Sequence, residues 1–454
     1  MTQTVTIDSR QLYTKLAKIA LPISVQGVVS ATLGMIDNLM VGFLGETELA
    51  AVGVATQIFF IHYLILFGFI GGTATFMAQF YGADDMKSIR KVTGFATSVA
   101  LLAGLFFFTV AFFFTNGFLS FYVDDPVVKA MAVQYVKVGS VTFFFLAFSV
   151  PMEMAFKATQ QTKVPMLIST VVFTTNTFLN YVFIFGKFGA PAFGVAGAAL
   201  ATSIARFLEV IISMGFAFRR SNCFCGKVCE YFQWNKDIIM RVLKNAAPTT
   251  GNELLWSLGQ TMYVAAFSRI GTTAYAAYQA AAAINSIFSF AAFSVGDATL
   301  ILVGQKLGEG DKEYTYALAK RLLRIGTILG AAIGLLLILS APTLTGLFNL
   351  TPEGKMYTIK ILTIYGAAMG LTLYNGINVT GILRGGGDTR FAMIAECSCV
   401  WLIAVPLAFT ASLIWGAPIF MAVLLIKLED VVKSVMLTKR FRSKKWLNNV
   451  IKGL

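Results

Sequence analysis

Apolar stretches long enough to cross a membrane recur along nearly the whole of this 454-residue sequence. Hydrophobic residues make up 57% of the chain and charged residues only 13%, which is about half the usual share in a soluble domain. A transmembrane helix needs roughly 20 mainly apolar residues, whereas a β-barrel strand shows alternation over about 10 residues. The sequence therefore predicts an all-α integral membrane protein.

The pattern predicts twelve transmembrane helices, several of them longer than the minimum and therefore tilted, bent or extended beyond the bilayer. The segment from Met1 to Arg10 is polar, and the apolar run that follows is too long for a cleavable signal peptide, so we interpret it as the first span. The predicted spans are 14–44, 48–80, 93–116, 128–156, 164–186, 192–218, 239–268, 273–305, 316–344, 354–384, 390–415 and 417–438.

The two halves of the chain repeat each other at an offset of 226 residues. Pro22 corresponds to Pro248, Gly45 to Gly271, and the segment 78–85 to 304–311. With an even number of spans in each half, the halves form two pseudo-symmetric six-helix bundles in the same orientation, the kind of duplication found in transporters that alternate access. We predict the following division: N-lobe 1–218, cytoplasmic linker 219–238, C-lobe 239–440 and basic cytoplasmic tail 441–454.

Lysine and arginine residues concentrate on one side of this topology, which the positive-inside rule assigns to the cytoplasm. Both termini and the linker are therefore predicted to be cytoplasmic, in the cell (inner) membrane. The net charge of +14 follows from these loops and does not require nucleic acid as a partner. The basic side includes Arg10, Lys18, Lys87, Arg90, Lys157, Arg220, Lys306, Arg384, Arg390 and Lys444; the other side has Lys129, Lys137, Lys187, Arg269, Lys355 and Lys360.

Ionisable side chains at membrane depth are costly, and each one is a candidate for function. Asp37 lies in the first span, and its equivalent in the second half is Tyr263, so the acid is present in one repeat only. Glu253 in the seventh span and His62 in the second are candidate substrate or proton contacts, together with Tyr263. Acids nearer the helix ends are expected to form ion pairs: Glu153 with Lys157, Asp297 with Lys306, Glu396 with Arg390, and Glu209 with Arg206.

Polar uncharged residues are candidate partners of Asp37. Asn176 and Asn180 are one helical turn apart and share a face of the fifth span, and Thr202 lies on the sixth. The oxygens of these three side chains, with one carboxylate, would suit a sodium ion. The same side chains could equally form hydrogen bonds between helices.

Two other sequence patterns do not indicate a functional site. Cys223, Cys225 and Cys229 lack the paired spacing of a zinc site, so we expect reduced thiols and no bound metal. The string 385–388 matches the GxGD pattern of intramembrane aspartyl proteases, but no second span supplies a partner aspartate. We interpret it as a tight turn, and we expect no enzymatic activity.

Together these residues resemble the MATE (multidrug and toxic compound extrusion) family. The resemblance is carried by Pro22 to Gly42, which contains Asp37, by the segment 185–202, and by Gly381 to Thr389. It covers nearly the whole chain. The resemblance implies two six-helix lobes in a V shape, drug efflux driven by inward sodium or proton flow, and Asp37 as the essential acid.

The resemblance also implies partners for Asp37. In the branch with a cation site in the N-lobe, an asparagine and an aspartate four residues later accompany the acid. Asn176 matches the asparagine, Asn180 replaces the aspartate, and Thr202 joins the same site. A second branch uses acids in helices 7 and 10. Glu253 lies about one turn before the first of these positions, and Leu373, Tyr374 and Asn375 supply no acid for the second.

The sequence thus predicts an antiporter, coupled to Na⁺ or H⁺, that exports amphipathic, often cationic small molecules by alternating access. The alternative is a lipid-linked precursor flippase of related fold, which should have a cationic cleft, whereas the deep charges here are mostly acidic. We expect small organic substrates and membrane lipids as partners, a monomeric chain, and no cofactor beyond the coupling ion.

Overall fold

The computed structural model describes residues 8–219, 222–223 and 225–454, and every regular element in these ranges is helical. The first half contains α1 (Ser9–Gly42), α2 (Glu46–Gly82), α3 (Met86–Phe113), α4 (Thr115–Leu119), α5 (Pro126–Gly139), α6 (Thr142–Ala158), α7 (Lys163–Phe185) and α8 (Val195–Ala217). The second half contains α9 (Lys236–Phe267), α10 (Thr272–Gly308), α11 (Lys312–Thr345), α12 (Pro352–Gly376), α13 (Thr389–Cys399), α14 (Val405–Phe409), α15 (Ile419–Ile426) and α16 (Leu428–Arg442).

Each of the twelve predicted spans corresponds to one helix of this structure or to consecutive helical segments. Among the described residues, nine helices are individually long and apolar enough to cross a membrane. The pair α5 and α6, bent by 50° at its break, makes a tenth. The remaining two predicted spans, 239–268 and 417–438, correspond to α9 and to α15 with α16. The predicted all-α integral membrane class is confirmed.

Several spans are interrupted without being broken. Helix α12 continues through a π-helical turn at Ile377–Leu383, and α13 and α14 are joined and followed by π-helical turns at Val400–Ala404 and Thr410–Ile414. Such wider turns shift backbone groups locally while the helix keeps most of its hydrogen bonds. The eleventh predicted span is therefore one continuous helical segment of mixed pitch.

The sequence repeat is visible in the backbone. Gly45 and Gly271, which precede α2 and α10, have φ angles of +154° and +143°, a region that favours glycine. Asp85 caps α3 by accepting a hydrogen bond from the Ser88 amide, and Asp311 caps α11 by accepting one from Tyr314. An aspartate in this position satisfies a backbone N–H that has no partner within the helix.

The structure divides into two compact units. One unit consists of the described residues up to Ser24, together with Ala74–Asp84 and Leu243–Leu454, and the other consists of Val25–Thr73 and Asp85–Val242. The predicted division into N-lobe, linker, C-lobe and tail stays a prediction. Residues 1–7 of that N-lobe, and Arg220 with positions 221 and 224 of the linker, lie outside the described residues.

The core of the unit built from 25–73 and 85–242 is apolar and rich in small and aromatic residues. Ala51 and Ala55 of α2 are fully buried against Val136 of α5 and Phe143 of α6. The Phe143 ring stacks on Phe59 at a centroid distance of 4.9 Å. Alanines let the helix backbones approach, and the aromatic rings fill the space that remains.

The linker packs onto the same unit through a short 3₁₀ helix at Val228–Phe232. Arg90 of α3 forms a 2.7 Å ion pair with Glu230, and a Cβ at Gly94 would overlap the carbonyl of Tyr231. Tyr231 is buried, and this burial raises the pKa of its hydroxyl to about 12. Glycine at position 94 therefore lets the linker lie directly on α3.

In the other unit, α11 and α12 approach closely through glycines. A Cβ at Gly366 would lie 2.6 Å from the carbonyl oxygen of Gly334, and a Cβ at Gly330 would lie 3.0 Å from that of Met369. Small residues at such crossings allow the backbone-to-backbone packing that holds helices together in lipid. This pair supports the π-helical turn and the loop that carries Arg384.

Candidate functional site

The acid of the first span lies in a hydrogen-bonded chain of polar side chains. Asp37 of α1 accepts a hydrogen bond from the Nδ2 of Asn180 through its Oδ1, at 2.6 Å. Asn180 Nδ2 also donates to Asn176 Oδ1 at 2.9 Å, and Asn176 Nδ2 donates to Thr202 Oγ1 at 3.1 Å. The structure thus brings together all four residues predicted to form the coupling site.

Local sequence explains why these side chains meet. Asn176 and Asn180 are one turn apart on α7, and both are almost fully buried. Gly186 ends α7 in the left-handed region, at φ +66°, and a Cβ at Gly197 would lie 2.5 Å from the carbonyl oxygen of Phe183. These glycines allow α8 to lie close beside α7, which places Thr202 within reach of Asn176.

One polar atom of the Asn180 side chain makes no hydrogen bond in the described structure. Its Nδ2 donates to both neighbouring acceptors, which fixes the orientation of the amide because the reverse would set oxygen against oxygen. Its Oδ1 is buried and has no hydrogen-bond partner in the described structure. Buried polar groups without partners are uncommon in folded proteins, and this one lies beside an acid.

His62 lies elsewhere in the same unit and is completely buried. Its ring packs edge-on against Phe107 and Phe143, at centroid distances of 5.2 and 4.7 Å. Neither ring nitrogen has a hydrogen-bond partner among the described residues. The structure therefore does not bring His62 into the chain of Asp37, and its predicted role in proton contact stays a prediction.

Two ion pairs expected near helix ends in this unit are present. Lys157 lies 2.6 Å from Glu153, and Arg206 lies 2.7 Å from Glu209. Both pairs join neighbouring turns of one helix, as the spacing predicts.

Glu253, the second acidic candidate, belongs to the other unit. Its Oε1 lies 2.5 Å from the guanidinium of Arg384, and both residues are buried. The sequence groups Arg384 with the basic residues of the predicted cytoplasmic side, and the structure adds that its side chain is buried against Glu253. The pairing supplies the buried carboxylate with a counter-charge that the sequence does not predict.

The turn after Arg384 is as the sequence predicted. Gly387 has a φ of +71°, and Asp388 follows it directly before α13. Both carboxylate oxygens of Asp388 accept hydrogen bonds from Arg440, at 2.6 and 3.0 Å. A bidentate pair of this kind positions the turn against α16 and explains the aspartate without proteolytic chemistry.

Sequence reasoning missed a cluster of charges around Lys433 of α16. Its Nζ lies 3.8–4.0 Å from carboxylate oxygens of Glu396, Glu429 and Asp430. Glu396 thus pairs with Lys433 and not with Arg390 as expected. The i,i+4 spacing of Glu429 and Lys433 is the signal that could have revealed part of the cluster.

Tyr263, the repeat equivalent of Asp37, lies at the edge of that cluster. It is buried, and its hydroxyl donates to Glu429 Oε2 at 3.4 Å. Asn375 of α12 donates to the carbonyl oxygen of Asp430 at 2.8 Å. The two repeats therefore use equivalent positions in different ways, an acid in α1 and a phenol in α9.

The three cysteines of the linker differ in exposure. Cys223 and Cys229 are exposed, Cys225 is partly buried, and none of the three forms a disulfide with another described residue. Across the described ranges, no group of three or more histidine, cysteine, aspartate or glutamate side chains is placed to hold a metal ion.

A duplicated all-helical membrane fold with a chain of polar side chains around an acid in a spanning helix is typical of secondary transporters. Comparison with known proteins identifies which kind. The chain matches the MatE family over residues 22–182 and 248–410, and it belongs to that family. The two matches begin at Pro22 and Pro248, the two prolines that the sequence repeat aligns. Members of this family are transporters, which confirms the expectation that the protein is not an enzyme.

Curated relatives cover most of the chain. It is 25% identical over 402 residues to the probable multidrug resistance protein NorM of Thermotoga maritima, which covers 87% of this chain and 84% of the relative. It is also 25% identical over 438 residues to the uncharacterized transporter YisQ of Bacillus subtilis, which covers 94% and 93%. Against the multidrug resistance protein MdtK of Edwardsiella ictaluri, identity is 24%, with 88% and 87% covered.

Solved structures share the fold at lower identity. A crystal structure of a MATE protein in complex with MaL6 superimposes with a TM-score of 0.86 at 19% identity, over 97% of this chain and 100% of the other. An outward-facing multidrug resistance MATE transporter gives a TM-score of 0.86 at 18% identity, over 97% and 99%. The MATE fold inferred from sequence is therefore confirmed.

Proposed function

We propose that this protein is a cation-coupled antiporter that exports amphipathic, often cationic small molecules by alternating access. Sodium ions or protons drive the export by binding at Asp37, with Asn180, Asn176 and Thr202 as supporting residues. Membership of the MatE family supports the transport class, and the chain of hydrogen bonds around Asp37 supports the site.

The observation that carries the coupling site is the unpartnered Oδ1 of Asn180 beside Asp37 in the described structure. A sodium ion takes oxygen ligands, and this amide oxygen, the Asp37 carboxylate and the Thr202 hydroxyl are of that type. A proton on Asp37 would instead make the acid a hydrogen-bond donor. The same unpartnered amide oxygen could accept that hydrogen bond. These side chains therefore offer the chemical groups that either ion requires.

Coupling then follows from charge. An empty, ionised Asp37 favours a conformation in which the carboxylate reaches water, and a neutralised one tolerates burial. Binding of the ion thus shifts a two-state equilibrium only as far as the two conformations differ in affinity for it. Export results when the substrate prefers the opposite conformation.

The substrate class is supported by composition and by relatives. The chain contains 41 phenylalanines and 17 methionines, whose flexible or aromatic side chains suit varied apolar ligands. Two of the relatives are named as multidrug resistance proteins, one of them as a probable one. Most deep charges here are acidic or paired, which favours cationic export substrates over anionic lipid precursors.

The basic loops support a cytoplasmic position for both termini and the linker, with the cell (inner) membrane as the proposed location. Dye efflux in everted vesicles tests the function. Sodium and pH gradients are imposed separately, with potassium chloride at equal ionic strength as the control. We expect one of the two gradients to drive dye movement. Equal movement with and without either gradient would contradict coupled antiport.

A further inference from the structure

The last twelve residues, 443–454, are folded although they follow the end of the last helix. Trp446 is completely buried, and its Nε1 donates to the carbonyl oxygen of Phe441 at 3.1 Å. Its ring stacks on Phe441, which stacks in turn on Tyr316 of α11 at 5.1 Å. Residues 443–454, the part of the predicted basic tail that follows α16 and is called the tail below, are thus anchored by one tryptophan.

The tail rests on the glycine-rich turn between α12 and α13. A Cβ at Gly386 would overlap the carbonyl oxygen of Trp446, and a Cβ at Gly387 would overlap the side chain of Val450. Gly385 contributes its carbonyl oxygen to the same region. The successive glycines therefore form a flat surface that the tail occupies, which accounts for a run of glycines that a turn alone does not require.

From this position the tail holds the end of α2. Gln79 is completely buried, and its Nε2 donates to the carbonyl oxygens of Gly385 and Asn448, both at 3.1 Å. Its Oε1 accepts a hydrogen bond of 2.8 Å from the Val450 amide. One glutamine side chain thus joins α2 to both the turn and the tail.

The tail also holds the end of α10. The Nδ2 of Asn449 donates to the carbonyl oxygen of Leu307 at 3.0 Å. The neighbouring Asn448 differs, because its own side chain donates to Lys445 within the tail. Asn449 is therefore the residue through which the tail reaches α10, and Asn448 offers a natural comparison.

These two helix ends cross at residues related by the sequence repeat. A Cβ at Gly82 would overlap the carbonyl oxygen of Gln305, and a Cβ at Gly308 would overlap that of Gln79. Gly82 and Gly308 are 226 residues apart, as are Gln79 and Gln305. The crossing is thus reciprocal, and the single tail binds on one side of it, to Gln79 and Leu307 together.

We propose that the tail, residues 443–454, is a latch. Docked on the glycine turn, it holds the cytoplasmic ends of α2 and α10 together, and its release is a step of the transport cycle. Helix α2 is suited to this role because its last turns belong to the unit that contains the tail, whereas Glu46–Thr73 belongs to the other. The latch rests on the proposed transport function and does not depend on which ion is coupled.

The contacts are few enough to be reversible. One neutral hydrogen bond changes an equilibrium by roughly two- to tenfold, and three such bonds join the tail to Gln79 of α2 and to Leu307 of α10. The tail is therefore held firmly in one state and can still undock on the timescale of a conformational change.

Hydrogen–deuterium exchange on the full-length protein in lipid nanodiscs measures docking directly. Asn449→Ala is expected to raise the exchange rate of peptides covering 443–454 and the end of α10 by about fivefold. The matched control, Asn448→Ala, is expected to leave these rates unchanged, because Gln79 binds only its backbone. Equal rates in the two variants and the wild type would overturn the latch. This readout requires no ion gradient.

A reversible cross-link tests whether release is needed. A Cβ at Gly387 would lie 3.8 Å from the Cβ of Val450, which is the spacing of a disulfide. Gly387→Cys with Val450→Cys therefore staples the tail to the turn. When oxidised, this double variant is expected to transport dye at about a tenth of its reduced rate or less.

Reduction with dithiothreitol should restore transport in the same preparation, which separates the effect from misfolding. Each single cysteine variant, oxidised in parallel, controls for the five native thiols. Unchanged transport after the cross-link has been verified by mass would overturn the proposal. Failure of coupled antiport would instead appear as gradient-independent dye movement in the reduced protein, with the exchange result intact.

Discussion

Asn180 donates a 2.6 Å hydrogen bond to Asp37 while its own buried amide oxygen has no partner in the described structure. The amide therefore stabilises a negative charge on the acid and offers an oxygen to whatever neutralises it. This arrangement explains how an asparagine serves where the resemblance leads one to expect a second aspartate. Compared with an aspartate, the asparagine at position 180 carries no charge but still has a side-chain oxygen.

Asn180→Ala is expected to weaken ion-dependent transport by about fivefold or more, because Asp37 loses its donor and the ion loses an oxygen. Transport in proteoliposomes at a series of ion concentrations measures the effect. Thr174→Ala, an exposed position on the same helix, is the control. The double variant with Asn176→Ala should lose more. Unchanged ion dependence in that double variant would make both asparagines structural.

Glu253→Gln is expected to lower the free energy of unfolding by about 3–5 kcal/mol, because it leaves Arg384 buried without its counter-charge. Combining it with Arg384→Met removes both charges and should recover most of the loss. Thermal unfolding in detergent compares the variants. A single variant as stable as the wild type would show that the ion pair contributes little.

The same variant tests the substrate contact predicted for Glu253. If its carboxylate attracts cationic substrates, Glu253→Gln reduces export of cationic dyes more than that of neutral dyes. If the residue acts only through Arg384, the export rates of both kinds of dye fall in proportion to the loss of folded protein. Efflux normalised to folded protein separates these outcomes.

Sequence predicts the spans and the repeat well, because each apolar run of spanning length carries its own signal. Helical spacing also predicts that Asn176 and Asn180 share a face, whereas their association with Asp37 on another helix came from the family resemblance. The ion pair of Arg384 with Glu253 was not predicted, because a residue beside a glycine turn can point towards water or into the bundle. The contact of Lys433 with Glu396 depends on how α13 packs against α16, which single-helix patterns do not encode.

The docking of the tail is a further feature that the amino-acid composition does not predict. Its lysines and asparagines are typical of a solvated terminus, and only the burial of Trp446 and the glycines at 385–387 reveal a docking surface. The close approach of those glycines to the tail joins segments that are far apart in the chain. No local pattern around either segment predicts it.

Gly82→Ala is expected to lower the free energy of unfolding by about 1–3 kcal/mol, because the added methyl overlaps the carbonyl oxygen of Gln305. Gly53→Ala in the same helix is the matched control, since no atom lies within 4 Å of its added Cβ. That control should be neutral or slightly stabilising, because alanine favours helix. Equal unfolding temperatures for the two variants would contradict the close crossing of α2 and α10.

The most direct test of the coupling mechanism is gradient-driven dye export by Asp37→Asn, reconstituted beside the wild type and Asp124→Asn, an exposed loop control. Asparagine preserves the size of the side chain and cannot carry the charge that a proton or sodium ion neutralises. We predict at least about a tenfold loss of ion-driven export for Asp37→Asn, with normal folding, and wild-type export for Asp124→Asn. Full ion-driven export by Asp37→Asn would contradict the assignment of Asp37 as the coupling acid.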